Sequence, residues 1–521
     1  MNPIACDCDP LLMKTFHNSC QILLGLLFAG ASLAAASGAS YVRDMGRGVN
    51  LGNLLEAPSE GEWGVTLEKE DLHRVASLDF RHVRLPVRWD GKGTLSEPGF
   101  DRVARTVPYT VDPRFFARVD SAIAWARANR LMVVLNDHHH ESLFENCAAE
   151  RPRFLAIWKQ VAEHYRNLPD SVAFEILNEP HGTVTAEAWN DLLDTALKII
   201  RQSNPTRTVV IGGPEWSGVS GLSALRLPSG DTNLILTVHD YDPMTFTHQG
   251  ADWIRPTPPS GVAWKGTRYE KLAARQAAET VRDYSRIHQI PVWMGEFGAY
   301  EMADSVSRAR WAEYHARLYE SMGFSWAWWE LKAGFGIWDR GTRSWNRYLT
   351  KALLSNDTSC LRLPSAPSGG VDLVENGNFA SGARWSFNGS SRAELSFDGG
   401  AASILVRQKG ANTWDVQLLQ FPLALRKGID YALLFDAWSD HPRSIGASLG
   451  MSGAPWAPYA STVAALGTVR RTYVASFQAG FEDPQARVAF DLGGDTGIVH
   501  IADVRLMAFD STLARREAFR P

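Results

Sequence analysis

From residue 48 to about residue 358 the chain alternates short apolar runs with longer amphipathic stretches. The runs are 48–52, 82–87, 131–137, 172–177, 208–212, 234–239, 292–295 and 324–329, short and continuous enough to be strands buried on both faces. Helical period fills the stretches between them. Residues 186–202, for example, place Trp189, Leu192, Leu193, Ala196 and Ile199 on one face, and 113–128 reads the same way. Eight strands in strict alternation with helices predict an α/β fold, the (β/α)8 TIM barrel, rather than an open doubly wound sheet. No glycine-rich phosphate loop follows the first run, which counts further against a nucleotide fold. After residue 371 the helical period vanishes. Short alternating runs such as 402–406, 431–437 and 486–492, separated by Gly, Asp and Ser turns, predict a C-terminal all-β jelly-roll sandwich. Between the two lies a short Pro-, Ser- and Gly-containing linker, 361–370, which would keep its flanking domains close.

The first forty residues follow a third pattern. Lys14 precedes the apolar run from Ile22 to Gly30, and small residues continue from Ala31 to Ser40, the order of a cleavable export signal. The apolar stretch is short for a membrane anchor and lacks a charged stop-transfer flank. The expected product is therefore a secreted chain, extracellular or periplasmic, with no membrane association after cleavage between Ala36 and Ser40. Met13 is an alternative start. The expected division is 1–40 signal peptide, 41–360 barrel, 361–370 linker and 371–521 sandwich.

At 521 residues, two or three domains are expected, and a net charge of −4 argues against nucleic acid or an acidic membrane as a partner. Of five cysteines, Cys6, Cys8 and Cys20 lie in the leader. Cys147 and Cys360 could pair outside the cytoplasm. The barrel would put Cys147 on a loop at the mouth and Cys360 at the opposite end, so two separate thiols are expected. Tryptophan is in excess, with 19 residues; its faces stack on sugar rings but also fill barrel cores.

The chemistry lies at the ends of the predicted strands. Asn178-Glu179-Pro180 follows the run 172–177, and Glu296 stands in Gly295-Glu296-Phe297-Gly298 after 291–294. Parallel strands of a closed barrel all end at one mouth, so two glutamates three strands apart can face each other across a cleft. Two carboxyls so held are what glycosidic bond cleavage requires. Buried structural ion pairs are the other use of glutamates at strand ends.

The barrel resembles glycoside hydrolase family 5, the retaining endo-β-1,4-glucanases and mannanases. The resemblance is carried, in family order, by Asn50-Leu51-Gly52-Asn53, the string from His82 to Trp89, Asn136-Asp137-His138-His139, Leu177-Asn178-Glu179-Pro180, His239-Asp240-Tyr241, Gly295-Glu296-Phe297-Gly298 and Trp328-Trp329-Glu330. It implies Glu179 as general acid/base, with a raised pKa, and Glu296 as an ionised nucleophile. Around them it implies substrate-binding positions at Arg84, His138, His139, Asn178, His239, Tyr241 and Trp329. Arg84 would orient Glu296 or pair with Glu175; Asn178 would bond the sugar 2-hydroxyl; Tyr241 and His239 would touch the nucleophile and the sugar; Trp329 would stack on the sugar. The run His138-His139-His140 suggests metal, but strand alternation sends neighbouring side chains apart and no further ligand completes a set, so no metal is expected in the barrel. Asp137 and Asp240 depart from the common pattern beside substrate-contacting positions, where they could alter sugar preference.

The C-terminal segment resembles the β-sandwich carbohydrate-binding modules often attached to such enzymes, through the string 373–379, Trp414-Asp415-Val416-Gln417-Leu418 and the closing string 501–506. Trp414, Gln417, Trp438, Trp456 and Tyr459 could form its sugar groove or its core. Oxygen donors near Asn376 and Asp503 could hold a structural calcium ion. The combined expectation is a monomeric, cofactor-free, secreted cellulase cutting internal β-1,4-glucosidic bonds of a polysaccharide. The alternatives are an endo-β-1,4-mannanase or mixed enzyme, and a non-catalytic polysaccharide-binding protein.

Overall fold

The computed structural model describes residues 38–509, so the leader cysteines and most of the expected export signal lie outside the described residues. Eight parallel strands close a barrel: β1 (Arg47–Asn50), β2 (His82–Leu85), β3 (Met132–Asn136), β4 (Val172–Glu175), β5 (Val209–Gly212), β6 (Leu234–Asp240), β7 (Val292–Phe297) and β8 (Ser325–Trp328), with β8 pairing back onto β1. Helices such as Pro113–Ala128, Cys147–His164, Ala186–Ser203 and Ser305–Ser321 form the outer ring. Every predicted strand is present, most one or two residues shorter at their carboxyl ends. β7 is longer than expected, and Glu296 lies inside it rather than beyond it. Cys147 opens a helix rather than sitting on a mouth loop, and it and Cys360 are free thiols.

The strands explain where polar residues can stand. Val134, Ala173, Val210, Ile235, Trp293 and Ala327 point inward and fill the lower barrel. A strand repeats its facing every two residues, so the next inward positions are Asn136, Glu175, Gly212 and Thr237, then His239. The interior thus changes from apolar to charged over one repeat, at the end where the loops open.

A two-stranded ribbon, β9 (Trp338–Asp339) with β10 (Ser344–Trp345), follows the barrel strands. The remaining strands are β11 (Val371–Asp372), β12 (Ser386–Asn388), β13 (Ala393–Asp398), β14 (Ala401–Val406), β15 (Gln417–Leu425), β16 (Asp430–Ser439), β17 (Arg443–Gly450), β18 (Pro458–Leu466), β19 (Arg471–Gln478), β20 (Asp483–Asp491) and β21 (Gly497–Phe509). They make two antiparallel sheets, ordered β13-β14-β21-β16-β19 and β12-β15-β20-β17-β18, around an apolar core that includes Leu418, Phe435, Val488 and Phe490.

The sandwich is packed directly on the barrel. The outer face of the first sheet buries Ala432, Leu434 and Val474 against Tyr269, Leu272 and Ala273 of the helix Arg268–His288. Tyr269 stacks on Phe509 at 5.3 Å, and Lys265 pairs with Asp430 at 2.7 Å. The Gln276 amide satisfies the edge strand β19, accepting from the Val474 N–H and donating to the Thr472 carbonyl, both at 2.9 Å. The same helix holds the linker, through Lys271 to the Cys360 carbonyl (2.7 Å) and Arg275 to the Leu361 carbonyl (2.9 Å). Among the described residues no helix is long and apolar enough to cross a membrane.

Candidate active site

At the floor of the barrel mouth one guanidinium organises the charges. Arg84 is fully buried on β2 and commits all five of its N–H donors. Nε and Nη2 grip Glu175 bidentately at 2.6 and 2.7 Å; Nη2 also donates to Asn178 Oδ1 at 2.7 Å; Nη1 donates to Asn50 Oδ1 at 3.0 Å and to Glu296. Burial works against the Arg84 charge, yet Glu175 and Glu296 hold its pKa above the ordinary arginine value. The expected choice between orienting Glu296 and pairing with Glu175 is resolved as both. Arg84 is therefore not a substrate contact, because no donor is left to offer a sugar.

Glu296 reaches this network through a change of register. Trp293 points into the barrel, so unbroken alternation would send residue 296 outward. The pairing of β6 with β7 passes from Val238–Met294 to His239–Glu296, leaving Gly295 as an extra residue. That bulge returns Glu296 to the interior. Only glycine fits there, since a Cβ at 295 would lie 2.3 Å from Thr237 Oγ1.

The two carboxyls differ in their surroundings. Glu296 receives Arg84 on Oε1 and the Tyr241 hydroxyl on Oε2 at 2.8 Å. Burial raises its pKa, while His239, Arg84 and the Tyr241 hydrogen bond draw it back. Glu179 has no such cation in contact. It stands just beyond β4 in a left-handed conformation (φ +46°), with His239 Nδ1 at 2.7 Å from Oε1. Burial pushes Glu179 up to about 7, and the His239 ring down to about 4. That neutral ring donates to Glu179 when the carboxyl is ionised. A carboxylate oxygen of each glutamate and a ring nitrogen of His239 lie within 4.8 Å of one another, the one group of three such side chains among the described residues close enough to share an ion.

The walls carry the remaining predicted residues. His138 Nδ1 faces the Asn136 amide nitrogen at 3.1 Å and so accepts from it, which leaves Nε2 as the protonated nitrogen. Its ring lies parallel to Trp329, 5.5 Å between centroids and 7° between planes. Gly52 makes room for that indole, for a Cβ at 52 would lie 2.8 Å from it. His139 lines the cleft edge-on to Trp63, at 5.6 Å. Asn178 is buried, with its carbonyl oxygen held by Arg84. His239 hydrogen-bonds Glu179 rather than Glu296, from which its Nδ1 is 3.8 Å away.

Two expectations on sugar preference are corrected. Asp137 is fully buried and pairs with His140 at 2.7 Å, while Asp240 accepts from the Tyr319 hydroxyl at 2.7 Å and from the Asp242 N–H at 3.1 Å. Both carboxylates are committed to the protein interior. Sequence reasoning missed Asn50 and Asn136 as supports and Trp63, Trp216 and Trp253 as walls. The inward period of two, counted back from the strand ends, marks the first two; the wall residues stand on irregular loops with no comparable signal.

In the sandwich, Trp414 and Trp456 are exposed on the rim of the second sheet, and Gln417 lies on its outer face, donating to Asp491 at 2.6 Å. Tyr459 is corrected: it is 8% exposed, its ring packs against Phe477 and Phe481, and its hydroxyl donates to Asp483 at 2.8 Å. Trp438 is corrected as well, since it lies on the first sheet, stacked on His500 at 4.8 Å beneath Arg470. Asn376 and Asp503 share a shallow cleft, but Asp503 is paired with Arg470 at 2.5 Å, so a calcium ion there would compete with that arginine.

Known proteins match both parts. Residues 44–334 match the cellulase (glycosyl hydrolase family 5) model, and residues 371–497 match a carbohydrate binding domain model. Endoglucanase H of Acetivibrio thermocellus is 35% identical over 61% of this chain and 33% of its own length; Endoglucanase 3 of Fibrobacter succinogenes is 26% identical over 57% and 51%. This chain thus spans about a third and a half of those curated relatives. Cel5A of Thermotoga maritima, in a structure with mannotriose, is 39% identical, covering 61% of this chain and all of that one at a TM-score of 0.58. A hyperthermophilic endo-β-1,4-glucanase in complex with substrate is 40% identical over 61% of this chain and 99% of its own, also at 0.58. With more than half of its length matched by one family model, the chain belongs to the cellulases of glycosyl hydrolase family 5.

Proposed function

We propose that the chain is a secreted, retaining endo-β-1,4-glucanase. The observation that carries this reading is the pair Glu179 and Glu296, with carboxylate oxygens within 4.8 Å and unequal surroundings. Retaining glycosidases hold their two carboxyls about 5–5.5 Å apart, whereas inverting ones leave about 6.5–9.5 Å for a water molecule. A proton shared by the pair resides on Glu179, since Glu296 faces Arg84 and the Tyr241 hydroxyl, which favour the charged form.

Glu179 donates its proton to the leaving glycosidic oxygen as Glu296 attacks the anomeric carbon. The bond to the leaving sugar breaks and a glycosyl-enzyme ester forms. Glu179, now ionised, takes a proton from water, and that water releases the sugar from Glu296. Arg84 and Tyr241 position Glu296, and His239 positions Glu179. Asn178, with its carbonyl oxygen fixed by Arg84, offers its amide N–H to the 2-hydroxyl, His138 offers Nε2–H, and Trp329 supplies the stacking face.

Mannan is a second reading, supported by the mannotriose complex of the Thermotoga maritima relative. The test is reducing-sugar release from soluble cellulose, glucomannan and galactomannan, run beside Glu296→Gln. Release from cellulose that disappears in the variant is the expected result. Release from the mannans alone moves the substrate to the second reading, and equal release by parent and variant overturns the assignment of Glu296. Export is tested by finding the mature chain in culture medium or periplasm; retention in the cytoplasm overturns it.

A further inference from the structure

Of the 19 tryptophans, five are more than about a third exposed: Trp63, Trp216, Trp253, Trp414 and Trp456. All five line one continuous cleft of about 2910 Å³, which also contains Glu179 and Glu296. Three stand around the barrel mouth and two on the sandwich. An indole left in water is unfavourable, and five of them on one path form a series of flat apolar faces of the kind a sugar ring covers. Those at the mouth are braced by neighbouring rings: Trp63 by His139, Trp216 stacked on His181 at 5.0 Å, and Trp253 against Tyr300 at 4.9 Å.

Trp216 on the barrel and Trp456 on the sandwich are both held in unusual backbone. Glu215, Trp216 and Ser217 are three successive non-glycine residues with φ between +54° and +58°, and Trp456 has φ +54°. Such conformations persist only where the surroundings impose them. Beyond Trp456 the cleft runs over the outer face of β20 and β17. Arg487 and Asp491 of β20 and Ser444 and Ser448 of β17 point outward there, alternating with the inward Val488, Phe490, Ile445 and Leu449. That is a polar floor ending at the Trp414 indole.

The geometry points to a single extended binding site. The face of the sandwich continues the catalytic cleft, so that one β-linked glucan chain lies across Trp414, Trp456 and Trp216 before reaching Glu179 and Glu296. The inference rests on the proposed glucanase reading and deepens it. A module on a free tether would only raise local concentration; here the packed contact with helix Arg268–His288 fixes the two surfaces in register.

Steady-state kinetics against chain length test this with the full-length protein. The parent is expected to show a KM that falls from cellotriose to soluble cellulose. The double variant Trp414→Ala, Trp456→Ala is expected to raise KM on soluble cellulose about tenfold, and on cellotriose, too short to span both domains, by far less. A second double variant, Tyr269→Ala with Gln276→Ala, loosens the docking and leaves both indoles intact. It is expected to lose the same advantage on long chains while still binding insoluble cellulose. If it keeps the parent's KM on soluble cellulose, the module is a tethered anchor and the inference is overturned. Equal losses on long and short substrates overturn it too. A parent that turns over no glucan overturns the activity reading and this inference with it, whereas turnover independent of chain length overturns the inference alone.

Discussion

The floor of the barrel mouth and the outer face of the sandwich both meet the same cleft, yet they are built in opposite ways. At the floor, Arg84, Glu175 and Glu296 are all but inaccessible, and every donor of the guanidinium is used. On the sandwich, Trp414 and Trp456 are 59% and 55% exposed. Charges intended to act on a bond must be fixed and dry, because solvent would screen them and let them turn. A surface that only holds a polymer needs flat faces left open, with the polar groups between them. The contrast predicts that substitutions at the floor change rate, whereas those on the sandwich change affinity.

The largest break is expected from Glu296→Gln, which should lower kcat on soluble cellulose by about 10⁴-fold or more while leaving polymer binding by pull-down intact. A parallel loss of binding would erase the distinction between the two regions. Glu179→Gln should lower kcat by about 10²–10⁴-fold. It should also remove the basic limb of the pH profile. That limb follows from the raised Glu179 pKa of about 7: the acid is protonated below this value, so kcat/KM falls as pH rises through it. A basic limb unchanged in Glu179→Gln would assign it to another group.

Arg84→Met leaves Glu175 and Glu296 as unpaired buried carboxylates. An unfolding stability lower by about 3–5 kcal/mol is expected in urea titration, besides lost activity. Tyr241→Phe removes one hydrogen bond to a charged group, worth about 1.5–3 kcal/mol. Because that bond favours the ionised form of Glu296, its loss should move the acid limb to higher pH, a shift that a purely structural role for Tyr241 would not give. The smallest effect is expected at Trp438→Ala, with less than about a twofold change in KM for any chain length, since its ring is on the other sheet.

The pattern of apolar runs was enough to count the barrel strands, because fully buried parallel strands leave uninterrupted signals. It was enough as well to place Glu179 at a strand end. Glu296 was harder: its inward aim depends on the Gly295 bulge, and a one-residue slip in register leaves no trace in apolar periodicity. The Asp137 pairing with His140 was hidden for a related reason, since spacing cannot tell which of several adjacent polar side chains turns away from the mouth. In the sandwich, period two marks Trp438 as facing outward from its sheet but not which of the two outer faces that is. Trp216, Trp253 and Trp63 stand on loops without period, so only the folded chain brings them to one path.

The docking of the sandwich has a practical side for anyone who would trim the protein. Ala432, Leu434 and Val474 pack against Tyr269, Leu272 and Ala273. A barrel cut free within the linker would present an oily stripe along one of its outer helices, and the severed module would carry the matching stripe. Neither piece is finished on that side.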